Sequence, residues 1–205
     1  MRCTPIYLLV LSYLFIAPPA SDNAAAAGGA PSHIVAGFQS ALVAVMKEAE
    51  TLSIRQRFEQ LTKTADESFH WALMAQITAG NHWKSATHAE RIKMVKAFRR
   101  MSITTLVMLF DGYSGEIFKV RHEANGPSRT RLVQTVLIKG DKSKVTILYV
   151  CRKFKEGWRM IDVIVDNGIS ELKVRRSEYN LILKKGGLST LIRLLNSKAD
   201  EILSN

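Results

Sequence analysis

The hydrophobic period of this chain changes once, at Gly112, and that change limits its fold more than any other feature. Before Gly112, apolar residues recur every three or four positions, the spacing of one helix face. After it, apolar and polar residues run in short segments separated by strong turn formers. Ahead of the change, Ile34, Val35, Phe38, Ala41, Leu42, Val45, Met46, Ala49 and Leu52 share one face of a helix opened by Pro31, while Lys47, Glu48 and Glu50 fall on the other. A shorter helix is expected around residues 53–62, with Phe58 and Leu61 apolar. A third is expected around residues 66–78, carrying Phe69, Leu73 and Ile77 and ended by Gly80. Thr87-His-Ala-Glu90 fits a capping box, in which the Thr oxygen and the Glu carboxylate satisfy first-turn amides. It opens a helix whose buried stripe is Ile92, Val95, Phe98, Met101, Leu106 and Leu109.

Behind Gly112, strands are expected over residues 113–123, 129–139, 143–154 and 158–165. Their connections, Asn125-Gly-Pro127, Gly140-Asp-Lys142 and Glu156-Gly157, are short, so neighbours run antiparallel. Helices follow over residues 177–185 and 188–203, parted by Gly186-Gly187. The expected class is α+β: N-terminal helices, a four-stranded antiparallel sheet, then C-terminal helices. Val133, Val136, Leu137 and Ile138, with Val145, Ile147, Leu148 and Val150, make the middle strands apolar on both faces. A ligand cavity accounts for this, and so does a thick core or a protein interface.

Residues 1–27 read as a secretory signal. Arg2 supplies the positive start, and residues 6–16 form an apolar run shorter than the ~20 residues a spanning helix needs. Cleavage is expected after Ala20 or Ala27, with residues 28–31 a flexible linker and 32–205 a single domain. Cys151 is then the lone cysteine; it lies in an apolar run and reads as a small buried hydrophobe, not a nucleophile. The 29 Lys and Arg against 18 Asp and Glu give a net charge of +11. That excess favours anionic partners: phospholipid headgroups or acidic protein surfaces, with nucleic acid set aside by export. Two basic faces stand out, one on Arg91, Lys93, Lys96, Arg99 and Arg100, the other on Lys173, Arg175, Arg176, Lys184 and Lys185. Plain solvation accounts for both as well.

Catalytic machinery is missing from the pattern. Gly112-Tyr-Ser-Gly115 is followed by Glu116, so it is not a Gly-x-Ser-x-Gly nucleophile turn, and it leads from helix to strand, the reverse of that turn's order. An enzyme would have to use His70, His82, His88 or His122 with a nucleophile such as Ser68, Ser85, Ser114 or Cys151, and no site geometry joins them; His82 and His88 are poorly spaced for a shared metal. The expectation is a protein without enzymatic activity, cofactor or metal.

Three blocks carry a resemblance: Gly80-Asn-His-Trp83 with Thr87-x-x-Glu90-Arg91 and Phe98; Tyr113-Ser-Gly115-Glu116-Ile-Phe118; and Trp158, Asp162, Gly168, Ser170, Arg176-Ser177-Glu178 with the last helix. In order and spacing they resemble the MlaC and toluene-tolerance family of periplasmic lipid carriers, and within it the hopanoid-associated HpnM branch. The family's Asn-Tyr before the Arg is Val174-Arg175 here. The likeness runs from about Ile34 to Leu203. It implies a cystatin-like or nuclear-transport-factor-like mixed fold with an apolar cavity between helices and sheet. It also implies a periplasmic carrier that shuttles a phospholipid or hopanoid-type lipid between the inner and outer membranes. The implied partners are the lipid, an inner-membrane lipid ABC transporter and an outer-membrane lipoprotein complex, with transient membrane contact.

The pocket candidates on this reading are Trp83, Phe98, Leu106 and Phe110 from the helices. Phe118, Val120 and Leu137 come from the first strands, Trp158, Ile161 and Val163 from the last, and Tyr179 and Leu183 from the tail. Ordinary core packing is the competing account for each. An even count places Trp158 and Asp162 on one side of a strand, with Arg175 or Arg176 the expected ionic partner of Asp162. An exported adaptor of the same fold, with a filled core and no lipid, is the alternative to a carrier.

Overall fold

Pro31 needs no amide donor at a helix start, and α1 (Pro31–Lys47) begins there. Its Val35, Phe38, Leu42 and Val45 are buried along one face, as their spacing requires. In this computed structural model residues 29–204 are described, apart from Asn167. The expected export signal lies outside the described residues. Ser53 and Gln56 cap each other reciprocally at the start of α2 (Ile54–Ser68), and α3 covers Trp71–Ala79.

The break between these two helices differs from expectation, for Asp66 belongs to α2. The chain extends at Phe69, which bridges Met160, and the His70 amide donates to the Met160 carbonyl at 2.9 Å. The His70 ring then accepts from the Leu73 amide at 3.1 Å and starts α3. A contact with a strand ninety residues away ends α2, where the sequence offers no Gly or Pro. Asp66 is left to tie three helices together: it accepts from the Trp71 indole at 2.9 Å and from the Arg99 guanidinium at 2.6 Å.

After the short α4 (His82–Ser85), α5 (His88–Leu109) starts at Thr87 with the capping box that the sequence announces. The Thr87 amide donates to Glu90 Oε2 at 2.8 Å, and the Glu90 amide to Thr87 Oγ1 at 3.3 Å.

The sheet has five antiparallel strands in chain order, rather than four: β1 (Ile117–Asn125), β2 (Thr130–Ile138), β3 (Lys144–Phe154), β4 (Gly157–Val165) and β5 (Ile169–Ser170). The two-residue β5 is too short to leave a periodic signal. β1 starts later than expected, because the Ser114 amide donates to the Glu116 carboxylate and residues 111–116 form a loop.

One face of the sheet is buried under the helices. Val133, Thr135 and Leu137 stand there beside Ile147, Tyr149 and Cys151, with Met160 from β4. Fully burying side chains such as Phe38, Met94, Ile103 and Met160 contributes about 1.5–3 kcal/mol each. The opposite face carries Leu132, Val136, Leu148, Val150 and Ile164, all half-buried.

The tail is α6 (Glu171–Leu203), with Ser170 capping it through the Lys173 amide. It begins six residues earlier than residue 177. Gly187, at φ 64° and ψ −170°, divides it by a sharp kink at the expected Gly-Gly position. Beyond the kink, Leu191, Leu195, Ala199 and Leu203 are buried, and Arg100 on α5 pairs with Asp200 at 2.6 Å. Among the described residues no helix is long and apolar enough to cross a membrane.

Candidate functional site

Helix α1 crosses the sheet near its β1 edge and leaves a groove of about 340 Å³ beside it. Ala36, Gln39, Ser40 and Val43 line one wall, spaced as a single helix face; Glu116, Ile117, Phe118 and Val120 line the other. The small side chains of Ala36 and Ser40 keep that wall open. Beyond Glu116 the opposite rim is apolar and wet, with Ile117 49% and Val120 42% exposed. The end of α5 comes near Phe118 through Phe110, and Leu109 there is 66% exposed. Scattered exposed apolar residues are ordinary; a run of them beside a groove is not.

Behind the groove wall, Gln39 enters a buried polar cluster whose members are satisfied. Gln39 Nε2 donates to Thr135 Oγ1 at 3.0 Å and to the Tyr149 hydroxyl at 3.2 Å, while Thr135 donates to the Ile147 carbonyl at 3.3 Å. Burial, only partly offset by the Gln39 hydrogen bond, pushes the Tyr149 hydroxyl up to about 12. At the mouth, Phe118 pairs directly with Leu137, and its ring lies 6.4 Å from that of Phe110. Phe110 is held from behind. Arg57, buried on α2, donates to the Val107 carbonyl at 3.0 Å and the Phe110 carbonyl at 3.4 Å, satisfying two of the carbonyls left open where α5 ends. Its Nε is buried without a partner among the described residues.

The sequence candidates fall in several places. Phe118 and Val120 line the groove; Leu137 pairs with Phe118, Phe110 has its ring 6.4 Å from that of Phe118, and Leu106 is half-buried one turn before Phe110. Phe98 lies in the central core in an edge contact with Trp71 at 6.4 Å; Ile161 is buried on β4, and Val163 stands opposite Tyr149. Trp158 is at the far end of β4, opposite Lys153. Tyr179 and Leu183 are buried on α6, and Trp83 is half-buried on α4 beneath the Arg91 guanidinium, 5.6 Å from the ring. The groove residues of α1, and Thr135 and Tyr149, are not among the candidates. A glutamine inside the apolar stripe of α1, and a threonine between Val133 and Leu137, are the signals that mark them.

Asp162 is a correction. It faces away from Trp158, because β4 carries a bulge: Cys151 pairs with Met160 and Val150 with Asp162, leaving Ile161 as an extra residue. Its carboxylate bonds neither Arg175 nor Arg176. It accepts from Ser170 Oγ at 2.6 Å and from the Leu172 amide at 3.2 Å, fastening the start of α6 to the sheet. Arg175 pairs instead with Glu178 at 3.5 Å. Burial, reinforced by the Glu123 charge, pushes the Cys151 thiol up to about 12, far from a thiolate at neutral pH. His70, held by the Leu73 amide, stacks on Phe154 at 4.0 Å and serves the fold. Among the described residues, no three His, Cys, Asp or Glu side chains gather to hold a metal.

Helices layered on one face of a five-stranded antiparallel sheet, with an apolar-rimmed groove at the first strand, define the class. The MlaC protein family model matches residues 38–197, and the chain belongs to that family. Among solved structures, it resembles the phospholipid-binding protein from Ralstonia solanacearum in complex with a phospholipid. The TM-score is 0.73 at 16% identity, covering 85% of this chain and 99% of that one. At that identity the likeness is one of fold. No curated protein matches the chain in sequence.

Proposed function

We propose that this protein is an exported lipid-binding carrier without enzymatic activity. The observation that carries the reading is the groove between α1 and β1. It has a largely apolar rim with Phe118 at its mouth, and lies in a member of the MlaC family whose fold is shared with a phospholipid-binding protein in complex with a phospholipid. Burying an acyl chain contributes ~0.8 kcal/mol per methylene, so a long chain needs no covalent step to be held.

On this reading the groove is where a chain enters, by displacing α1 from the sheet edge. Phe110, Phe118, Val120 and Leu137 make the entrance, Leu106, Ile161 and Val163 lie deeper, and Phe98 backs them. Trp83, Trp158, Tyr179 and Leu183 are assigned to the outer walls. Residues 1–27 act as the secretory signal and residues 32–205 as one lipid-binding domain. The compartment is the periplasm, where the carrier shuttles lipid between an inner-membrane lipid ABC transporter and an outer-membrane lipoprotein complex. The HpnM-like blocks, chiefly Tyr113-Ser-Gly115-Glu116-Ile-Phe118, favour a hopanoid-type lipid over a phospholipid as the cargo.

Organic extraction of the purified protein, followed by mass spectrometry, tests this. Near-equimolar phospholipid or hopanoid supports a carrier, and which of the two predominates reads the cargo. An empty extract together with no uptake of added lipid overturns it in favour of an exported adaptor with a filled core.

A further inference from the structure

A second cleft, of about 470 Å³, opens between the end of α3, the short α4 and the first half of α6. It shares no lining residue with the α1–β1 groove. Lys173, Arg176, Asn180 and Lys184 follow one another on α6 at spacings of three and four, so one helix face turns four polar side chains into it. His82 and Asn81 close the other side. No carboxylate lines the cleft, and among the described residues none of the three α6 cations has one within 4.0 Å. Their neighbour Arg175, outside the cleft, does have a partner in Glu178.

The Arg176 guanidinium is seated. It lies so close to Gly80 that a Cβ added there would stand 3.5 Å from Nη2. The carbonyl end of α3, equivalent to about half an elementary negative charge, also lines the cleft through Ala79 and Gly80. Set against three cationic side chains, that partial charge leaves the lining positive, and a concave wall of protein concentrates its field.

We propose that this cleft is an anion site for a phosphate group. Arg176 supplies the paired N–H donors that fit two phosphate oxygens, Lys173 and Lys184 supply point charges, and the Asn81 and Asn180 amides offer neutral donors. The volume admits a phosphate that carries an ester substituent, so the group can belong to a lipid headgroup or to a free phosphate.

The test is titration of the ¹⁵N-labelled protein with inorganic phosphate and with glycerol 3-phosphate at fixed ionic strength, alongside flotation with phosphatidylglycerol vesicles. Saturable shifts at the Gly80, Asn81, Ser177 and Asn180 amides are expected, with affinity falling about tenfold or more in Arg176→Gln/Lys173→Gln. Lys184→Gln should weaken binding less, and Lys119→Gln, on β1, should leave it unchanged. Stronger binding of glycerol 3-phosphate, with vesicle binding lost in the double variant, identifies a lipid headgroup; stronger binding of inorganic phosphate identifies the free ion. Absence of saturable shifts at these amides with both soluble probes, or undiminished binding by the folded double variant, overturns the proposal. Lipid extraction reads the groove and these shifts read the cleft, so either can fail alone.

Discussion

Gln39 and Tyr149 meet at 3.2 Å in the middle of the sheet–helix interface, the glutamine amide donating to a phenol that is only 3% exposed. Together with the bond to Thr135, this contact fastens α1 over β2 and β3. Gln39→Ala leaves two buried hydroxyls without that donor, and a loss of about 1–3 kcal/mol is expected in urea unfolding. A change within error would mean that the contact does not hold α1 down.

The groove and the core should answer differently to added bulk. Val120→Trp, at a half-open rim, should lower the lipid recovered per protein with little change in unfolding midpoint. Val133, fully buried opposite Tyr149 inside the packed layer, is the core counterpart, and Val133→Trp should cost about 1–3 kcal/mol through overpacking. Equal stability losses in the two variants would place Val120 in the core.

Cys151 should ignore thiol reagents in the folded protein. Burial that raises its thiol to about 12 also shuts out the reagent. Labelling with iodoacetamide at pH 8 should be negligible natively and complete in denaturant. Rapid native labelling would show that the sheet–helix layer opens.

Tyr179 sets an alkaline limit. Burial pushes its hydroxyl from 10.0 up to about 12, so the folded state holds the proton more tightly than the unfolded chain. Its contribution to stability is therefore complete below about pH 10 and is lost as pH rises through about 12. The unfolding midpoints of wild type and Tyr179→Phe should keep a fixed difference up to pH 9.5, and wild type should then fall relative to the variant. Parallel curves to pH 11 would contradict this.

Glu123 sets an acid one. Burial raises its pKa, but the Arg131 guanidinium at 2.7 Å and the Ser32 amide outweigh burial and hold it below the ordinary 4.5. The stability it contributes is present above that value and is lost as pH falls through the lower, folded value. Glu123→Gln should flatten the acid limb of the unfolding curve below pH 4.5; an unchanged limb would assign acid sensitivity elsewhere.

Much of this architecture is legible in the sequence because its signals are local. Thr87 and Glu90 mark a helix start, Pro31 another, and Gly187 the kink, each through its own backbone preference. The features that escape are set by distant partners. α2 ends at Phe69 because Met160 lies beside it, and α6 starts at Ser170 because Asp162 reaches its first amides. The groove was visible only in part. Phe118 and Val120 stand out as apolar residues, but Gln39 and its partners Thr135 and Tyr149 acquire their role from meeting across more than ninety residues. The basic stripe on α6 was visible as charge; the concavity that gathers it belongs to α3 and α4.

Ile161, the additional residue in β4, governs the phase of the strand. Had the same sequence paired residue for residue with β3, Asp162 would face Tyr149 in the apolar layer and Val163 would point outward. An anion would then stand among methyl groups, and the tail would lose its mooring. Two residues opposite one keep Asp162 on the side where Ser170 and Leu172 await it. A single added residue thus lets one strand be greasy toward the helices and still present a carboxylate at the point where the chain turns for its last long run.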